Sequence, residues 1–387
     1  MWKHIAANAL TVAIVLVAAL AIGVQVGKSR WTAPGPLTEA RFFEVPRGAS
    51  LRAVSRSLAE EGIVSSDAIF RLGAEYTERG DGLKFGTYEI PPGATMPEVL
   101  EILSAGGPSV FPFSVTHLIR ARGPEVRVRE RVPGEAAARE VATFAPGEAV
   151  PEEYTALLER GVPITWRVSV APGLTSWEVV EGLKAVDFLE GALPEELPGE
   201  GTLAPDTYEV SRGSDRGALL QRMREAQGRL LAEAWAERQP GLPIETPQEA
   251  LILASIVEKE TGVASERERV AAVFTNRLDQ GMRLQTDPTV IYGVTRGVGG
   301  PLGRGIRQSE LDDDNPWNTY RIDGLPATPI ANPGPEAIRA AVNPEDTEFL
   351  FFVADGTGGH AFARTLAEHN ENVAQWRRIE AERRASE

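Results

Sequence analysis

The sequence predicts an α+β protein carrying a single N-terminal transmembrane helix, and three observations support that prediction. A strand-turn-helix phrase recurs at Val45-Pro46-Arg47-Gly48-Ala49-Ser50, Ile90-Pro91-Pro92-Gly93-Ala94-Thr95 and Val170-Ala171-Pro172-Gly173-Leu174-Thr175. Capped helices and short apolar strands then follow one another without the strict alternation that a doubly wound sheet needs. At the N-terminus, Ile5 to Gly27 holds no charged residue.

Taken in order, residues 1–4 form a short N-terminal tail and 5–27 a membrane span. At helical rise that span covers about 34 Å, enough for one crossing. A cleaved signal peptide is the alternative, because Ala19-Leu20-Ala21 resembles a small-residue cleavage site, although the apolar run continues to Val26. Lys3 on one side and Lys28 and Arg30 on the other leave the orientation open.

In each of the three repeated phrases an apolar approach meets a Pro-Gly turn, and a Ser or Thr stands ready to cap the next helix. The helices that follow are amphipathic through Leu51, Val54 and Leu58, through Val99, Leu100 and Leu103, and through Trp177, Val180 and Leu183. A further helix lies near Ala68 to Tyr76. Between Gly106 and about Val162 the chain is rich in Pro, Gly, Glu and Arg. There the alternation Val126-Arg127-Val128-Arg129 predicts an exposed strand or hairpin, so 108–163 reads as a connecting or inserted segment. Phe349 to Val353 predicts a buried strand closed by Gly356, and 376–387 a charged, helical tail.

The most informative stretch is Leu251 to Gly293. Thr246-Pro247-Gln248-Glu249 is a capping box with proline at the first helical position. Ala250 to Val257 is apolar on nearly every face apart from Ser255, the pattern of a buried helix. That helix ends in Glu258, Lys259 and Glu260, with Gly262 expected to close it in a left-handed conformation. A carboxyl at Glu260 meets both partial desolvation and the negative end of the helix dipole, and each favours the protonated form a general acid needs. Lys259 and Arg283 would pull the other way. A second capping box, Ser265 to Glu268, opens a helix that runs to Gln280 and stops at Gly281. A loop of about three residues makes the two helices a tight hairpin and brings the Glu260 end close to Glu266.

The run from Ala254 through Glu258-Lys259-Glu260-Thr261-Gly262 to Gln285-Thr286-Asp287-Pro288-Thr289 resembles the endolytic murein transglycosylases, the YceG-like family. Further matches in the same order are Glu200-Gly201, Pro205-Asp206-Thr207-Tyr208, Asn318-Thr319-Tyr320, Asn332-Pro333-Gly334 and Gly359-His360. Two departures stand out, Ala327-Thr328-Pro329 after Gly324-Leu325-Pro326 and Trp317 where tyrosine is common. Both fall on one cleft-wall loop.

The resemblance implies a LysM-like subdomain over 41–107, a module type that binds N-acetylglucosamine polymers, and a catalytic domain over 164–375. It also implies an inner-membrane anchor with the bulk of the chain in the periplasm, and peptidoglycan synthases as partners. The implied reaction is non-hydrolytic cleavage between N-acetylmuramic acid and N-acetylglucosamine within glycan strands, which terminates nascent chains. The second glutamate of the Glu-Lys-Glu run, Glu260, would be the catalytic acid and then the base. Gln285, Asn276 and Asn318 are candidates for sugar acetamido or hydroxyl groups, or else have local backbone roles. Asp287 is a sugar ligand or a turn residue. Tyr292 and Tyr320 are stacking faces or buried tyrosines, and Glu258 is a structural acceptor.

Composition excludes other classes. The formal charge of −15 becomes −18 beyond the first thirty residues, which argues against a nucleic-acid partner. With no cysteine, neither disulfides nor thiolate chemistry is available, and the four scattered histidines do not form a metal pair. No cofactor is expected. A hydrolase of the same bond would need a positioned water and a second carboxylate, with Glu266 or Asp287 as candidates. A tethered glycan-binding scaffold would need neither.

Overall fold

A computed structural model describes residues 2–105 and 110–386. The expected junction at 107/108 lies outside the described residues. The chain divides into two compact units, one comprising Met1–Ser114, Val128–Val141 and Glu153–Ile164, the other Val115–Arg127, Ala142–Glu152 and Thr165–Glu387.

In the first unit, helix α1 (Trp2–Thr32) extends beyond the expected 5–27 because nothing breaks it until Pro34, where the proline ring restricts the residue before it. Within its segment Leu10–Thr32 an 18-residue window reaches a mean hydropathy of 2.4, so by length and composition it can cross a membrane. Strand β1 (Arg41–Val45), helices α2 (Leu51–Glu60) and α3 (Asp67–Tyr76), strand β2 (Gly86–Ile90) and helix α4 (Met96–Ala105) follow. β1 and β2 pair antiparallel, with Phe43 opposite Tyr88. Gly48 and Gly93 take φ of 73° and 67° at the two Pro-Gly turns, as the repeated phrase predicts. Ser50, Ser66 and Thr95 accept from the first-turn amides of α2, α3 and α4. Phe43, Leu58, Phe70, Ile90, Leu100 and Leu103 form the core beneath them. Trp31 at the end of α1 packs on Phe70, with ring centroids 6.1 Å apart.

Strands β3 (Phe113–Ile119), β4 (Glu125–Glu130) and β5 (Arg139–Phe144), helix α5 (Glu152–Glu159) and strand β6 (Ile164–Val170) come next, then α6 (Ser176–Lys184), β7 (Leu189–Glu190), β8 (Thr207–Val210) and β9 (Ser214–Asp215). A five-stranded sheet has the order β5-β4-β3-β6-β8. The alternation at Val126 to Arg129 does form a strand, but Val126 and Val128 are buried, so it is half-buried rather than exposed. Gly173 takes φ of 78° at the third Pro-Gly turn, and Thr175 forms a full capping box with Glu178 at the start of α6.

The second unit continues with helices α7 (Arg216–Ala236), α8 (Pro247–Glu260), α9 (Arg267–Asp279), α10 (Asp287–Thr295), α11 (Gln308–Leu311) and α12 (Pro335–Val342), strands β10 (Phe351–Ala354) and β11 (His360–Ala363), and helix α13 (Leu366–Ser386). α8 is the central element. Every residue from Ala250 to Val257 is buried, packed among Phe274, Leu284, Ile338 and Val342. Leu253, Ile256 and Val257 are fully buried, each contributing about 1.5–3 kcal/mol. That packing can carry a charged C-terminal turn. Ser255, the polar exception, donates to the Ile252 carbonyl and accepts from the Ile330 amide.

Two further expectations are corrected in this unit. β10 is short and only half-buried, because one edge pairs with β11 while its side chains line a cavity. The turn between α8 and α9 is longer than three residues and contains a 3₁₀ turn over Ala264–Glu266.

Candidate active site

Glu260 occupies the last turn of α8 because Thr246 and Pro247 set the helix start and the buried run sets its length. Gly262 does not close the helix in a left-handed conformation. Thr261 ends it in an extended conformation, its amide still bonded to the Val257 carbonyl and its hydroxyl accepting from the Val263 amide. An extended Thr261 lets the backbone leave α8 without a glycine.

Glu260 lies at one wall of a cavity of about 520 Å³, which Thr286, Asp287, Gln285, Tyr320 and Arg277 also line. Its carboxylate accepts a hydrogen bond from the Thr286 hydroxyl. Thr286 is held by a closed ring of bonds. Its amide donates to Thr319 Oγ1 at 3.0 Å, and the Thr289 hydroxyl donates to its carbonyl at 2.7 Å. The Thr289–Thr319 contact at 2.8 Å then requires Thr319 to be the donor, since the Thr289 proton is already committed. All three threonines are buried, so the group facing Glu260 is preorganised.

Burial is the main cause that pushes the Glu260 carboxyl above its ordinary range, with the nearby Asp287 charge adding to it. The Thr286 hydroxyl, His360 and Arg277 oppose that shift without reversing it. The groups that oppose it therefore differ from those expected. Lys259 donates instead to the Gly173 carbonyl, and Arg283 pairs with Asp323.

Arg277, on α9, is only 9% exposed. It donates to the Leu350 and Leu284 carbonyls at 2.7 Å each and so ties α9 to both walls of the cavity. Gln285 takes φ of 50°, a left-handed conformation rare outside glycine, at the point where the loop turns into the cavity wall. Asp287 opens α10 and accepts from the Tyr320 hydroxyl at 2.8 Å.

The expected capping box at Ser265 does not form. Glu266 instead turns its carboxylate to the His360 amide at 2.9 Å and to His360 Nδ1 at 2.8 Å. A Cβ at Gly359 would come within 2.6 Å of that carboxylate, which explains the glycine before His360.

The cavity thus gathers Glu260, Gln285, Asp287 and Tyr320. Of the other three candidates, the two asparagines serve the backbone and Tyr292 serves neighbouring side chains. Asn276 donates to the Thr347 and Phe349 carbonyls at 2.8 and 3.0 Å. Asn318 is fully buried, donating to the carbonyls of Glu310, Leu311 and Asp313 and accepting from the Tyr320 amide. Tyr292 donates to Glu200 at 3.2 Å and packs on Trp317. Glu258 accepts from the Gly334 amide at 2.9 Å, the structural role expected of it.

Sequence reasoning missed Thr286, Arg277 and Glu200. Glu200 accepts from the Ser176 amide and hydroxyl, from Asn332 Nδ2 and from Tyr292. Burial raises its pKa to about 6 against those bonds. Its position in the Glu200-Gly201 match to the family was the available signal. The two departures on the cleft-wall loop answer each other, since the Trp317 indole donates to Thr328 Oγ1 at 2.9 Å. A tryptophan needs such an acceptor when it is partly buried. Arg296 stacks over the same indole at 3.9 Å.

Comparison with known proteins finds relatives of this chain. A sequence profile described as the YceG-like family matches residues 43–375. A protein named endolytic murein transglycosylase from Bacillus subtilis (strain 168) is 26% identical over 336 residues, spanning 85% of this chain and 82% of its own length. One of the same name from Streptococcus pneumoniae serotype 2 (strain D39 / NCTC 7466) is 27% identical over 338 residues, or 86% of this chain and 57% of its own. A crystal structure of a putative yceG-like protein from Listeria monocytogenes shares 21% identity at a TM-score of 0.45, covering 86% of this chain and 98% of that one.

Proposed function

This chain belongs to the YceG-like family, and from that premise we propose that it is a membrane-anchored endolytic lytic transglycosylase of peptidoglycan. The observation that carries the proposal is the state of Glu260, a carboxyl raised by burial, held by one hydroxyl and facing an open cavity. Protonated Glu260 gives its proton to the glycosidic oxygen as the bond from the muramyl anomeric carbon breaks. The substrate's N-acetyl group stabilises the positive charge that builds there. Glu260, now a carboxylate, then removes the proton of the muramyl 6-hydroxyl, whose oxygen closes on the anomeric carbon. The products are a 1,6-anhydro-muramyl end and a free N-acetylglucosamine 4-hydroxyl, and Glu260 is again protonated. Thr286 serves both steps by bonding to the charged form, and Gln285, Asp287 and Tyr320 bind the sugars.

Helix α1 anchors the chain in the inner membrane with the rest in the periplasm, which suits a substrate outside the cytoplasm. The β-α-α-β order of 41–90 supports a LysM-like, sugar-binding module. Termination of nascent strands next to peptidoglycan synthases is the cellular role this anchoring supports.

The test uses the full-length protein and Glu260→Gln in membranes on purified peptidoglycan, with products read by mass spectrometry. Anhydro-muramyl ends from wild type alone support the proposal. Asp287 favours one second reading, because it is a carboxylate on the same cavity able to activate a water. Reducing ends instead of anhydro ends would establish that hydrolase. Glycan binding without either product would leave a scaffold.

A further inference from the structure

The cavity does not end at the catalytic carboxyl. It runs past Arg277 and His369 to an apolar end formed by Phe351 and Val353 of β10 and Leu366 and Val373 of α13. Leu366, His369 and Val373 are spaced by three and four residues, which places them on one face of α13. Leu366 is 60% exposed although it lines this cavity, a costly place for leucine if water is the only occupant.

Two polar features lie between the acid and the apolar end. Arg277 uses Nε and Nη1 on the Leu350 and Leu284 carbonyls, and Nη2 has no acceptor among the described residues. His369 stacks on Phe351 with centroids 5.2 Å apart, and its Nδ1 is buried without a partner. A buried guanidinium with a spare donor beside an apolar groove suits an oxygen acceptor joined to a small apolar group.

We infer that this far end is a subsite for the peptide carried on the muramyl lactyl group. Arg277 receives a carbonyl or carboxylate oxygen of that peptide, and Phe351, Leu366 and Val373 cover its first, methyl-bearing residue. The inference rests on the transglycosylase reading, because that reading seats the muramyl ring beside Glu260. The lactyl group then leaves the ring on the side away from the bond being cut. At about 520 Å³ the cavity holds more than one pyranose ring.

The test is calorimetric titration of the full-length Glu260→Gln chain in detergent with N-acetylmuramic acid and with N-acetylmuramyl-L-alanyl-D-isoglutamine. The dipeptide ligand is expected to bind about tenfold tighter. In Leu366→Ser/Val373→Ser that preference falls toward one. Equal affinities, or no measurable affinity for the dipeptide, overturn the subsite without depending on any variant. A parallel assay of wild type on peptide-bearing and peptide-stripped glycan strands separates the two claims. If neither strand yields anhydro ends while the dipeptide preference persists, the enzyme reading fails and the subsite stands. If both strands yield anhydro ends at equal rates and the dipeptide binds no tighter, the enzyme stands and the subsite fails.

Discussion

Glu200 and Glu260 are both carboxyls of the second unit that burial pushes upward, and the protein holds them in opposite ways. Glu200 is bonded on both oxygens by Ser176, Asn332 and Tyr292, side chains and backbone drawn from three stretches of sequence. Glu260 receives one hydroxyl, from Thr286, and otherwise faces a cavity. A carboxyl surrounded by donors is a cross-link whose proton has nowhere to go. One with a single donor and an open side can exchange its proton with a ligand. Burial alone therefore does not identify a catalytic acid; the number of committed lone pairs does.

The comparison breaks first on activity. Glu260→Gln should lower the rate of bond cleavage by about 10²–10⁴-fold or more. Its unfolding free energy should stay within about 1 kcal/mol, because the amide oxygen still accepts from Thr286. A large stability loss in that variant would erase the distinction drawn here. Glu200→Ala should do the reverse, costing about 3 kcal/mol in urea denaturation because the buried Ser176 amide and Tyr292 hydroxyl lose their acceptor. Its remaining activity should follow its folded fraction.

The pH dependence of stability sharpens the contrast. A Glu200 pKa raised from 4.5 to about 6 means the folded state binds more protons across that interval. The contribution is present below pH 4.5 and is lost as pH rises through 6, about 2 kcal/mol in all. Wild type minus Glu200→Gln should show this loss. His117, whose pKa burial lowers to about 4, acts in the opposite sense as pH falls from 6.5. The subtraction removes that contribution because both proteins carry it.

The smallest effects concern the pH–rate profile. Thr286→Val removes a bond that lowers the Glu260 pKa, so the alkaline limb of kcat/KM should move up. Asp287→Asn removes a charge that raises it, so the same limb should move down. Shifts in the same direction for both variants would show that the limb does not report Glu260.

Local rules carried a great deal of the fold. The three Pro-Gly phrases became turns with glycine at positive φ and capped helices after them, because those devices act within six residues. α8 was legible from its capping box to Glu260, since an all-apolar run between a cap and a charged end has few other solutions. The errors occurred where a distant partner outbid a local one. The capping box expected at Ser265 did not form, and Glu266 beside it bonds His360, 94 residues away. Asn276 and Asn318, plausible sugar ligands by type, were taken by carbonyls that only the folded chain brings within reach.

What the sequence by itself determined is the α+β class, the apolar N-terminal helix and the position of one acid at the end of one buried helix. Each follows from hydrophobic period, capping chemistry and length, which are local properties. Only the tertiary structure decided that Glu260 has one donor and Glu200 several, that the Thr286–Thr289–Thr319 ring holds that donor still, and that Arg277 stands between the acid and an apolar groove. Those facts depend on which groups share a small volume at low dielectric, and residues tens of positions apart supply them.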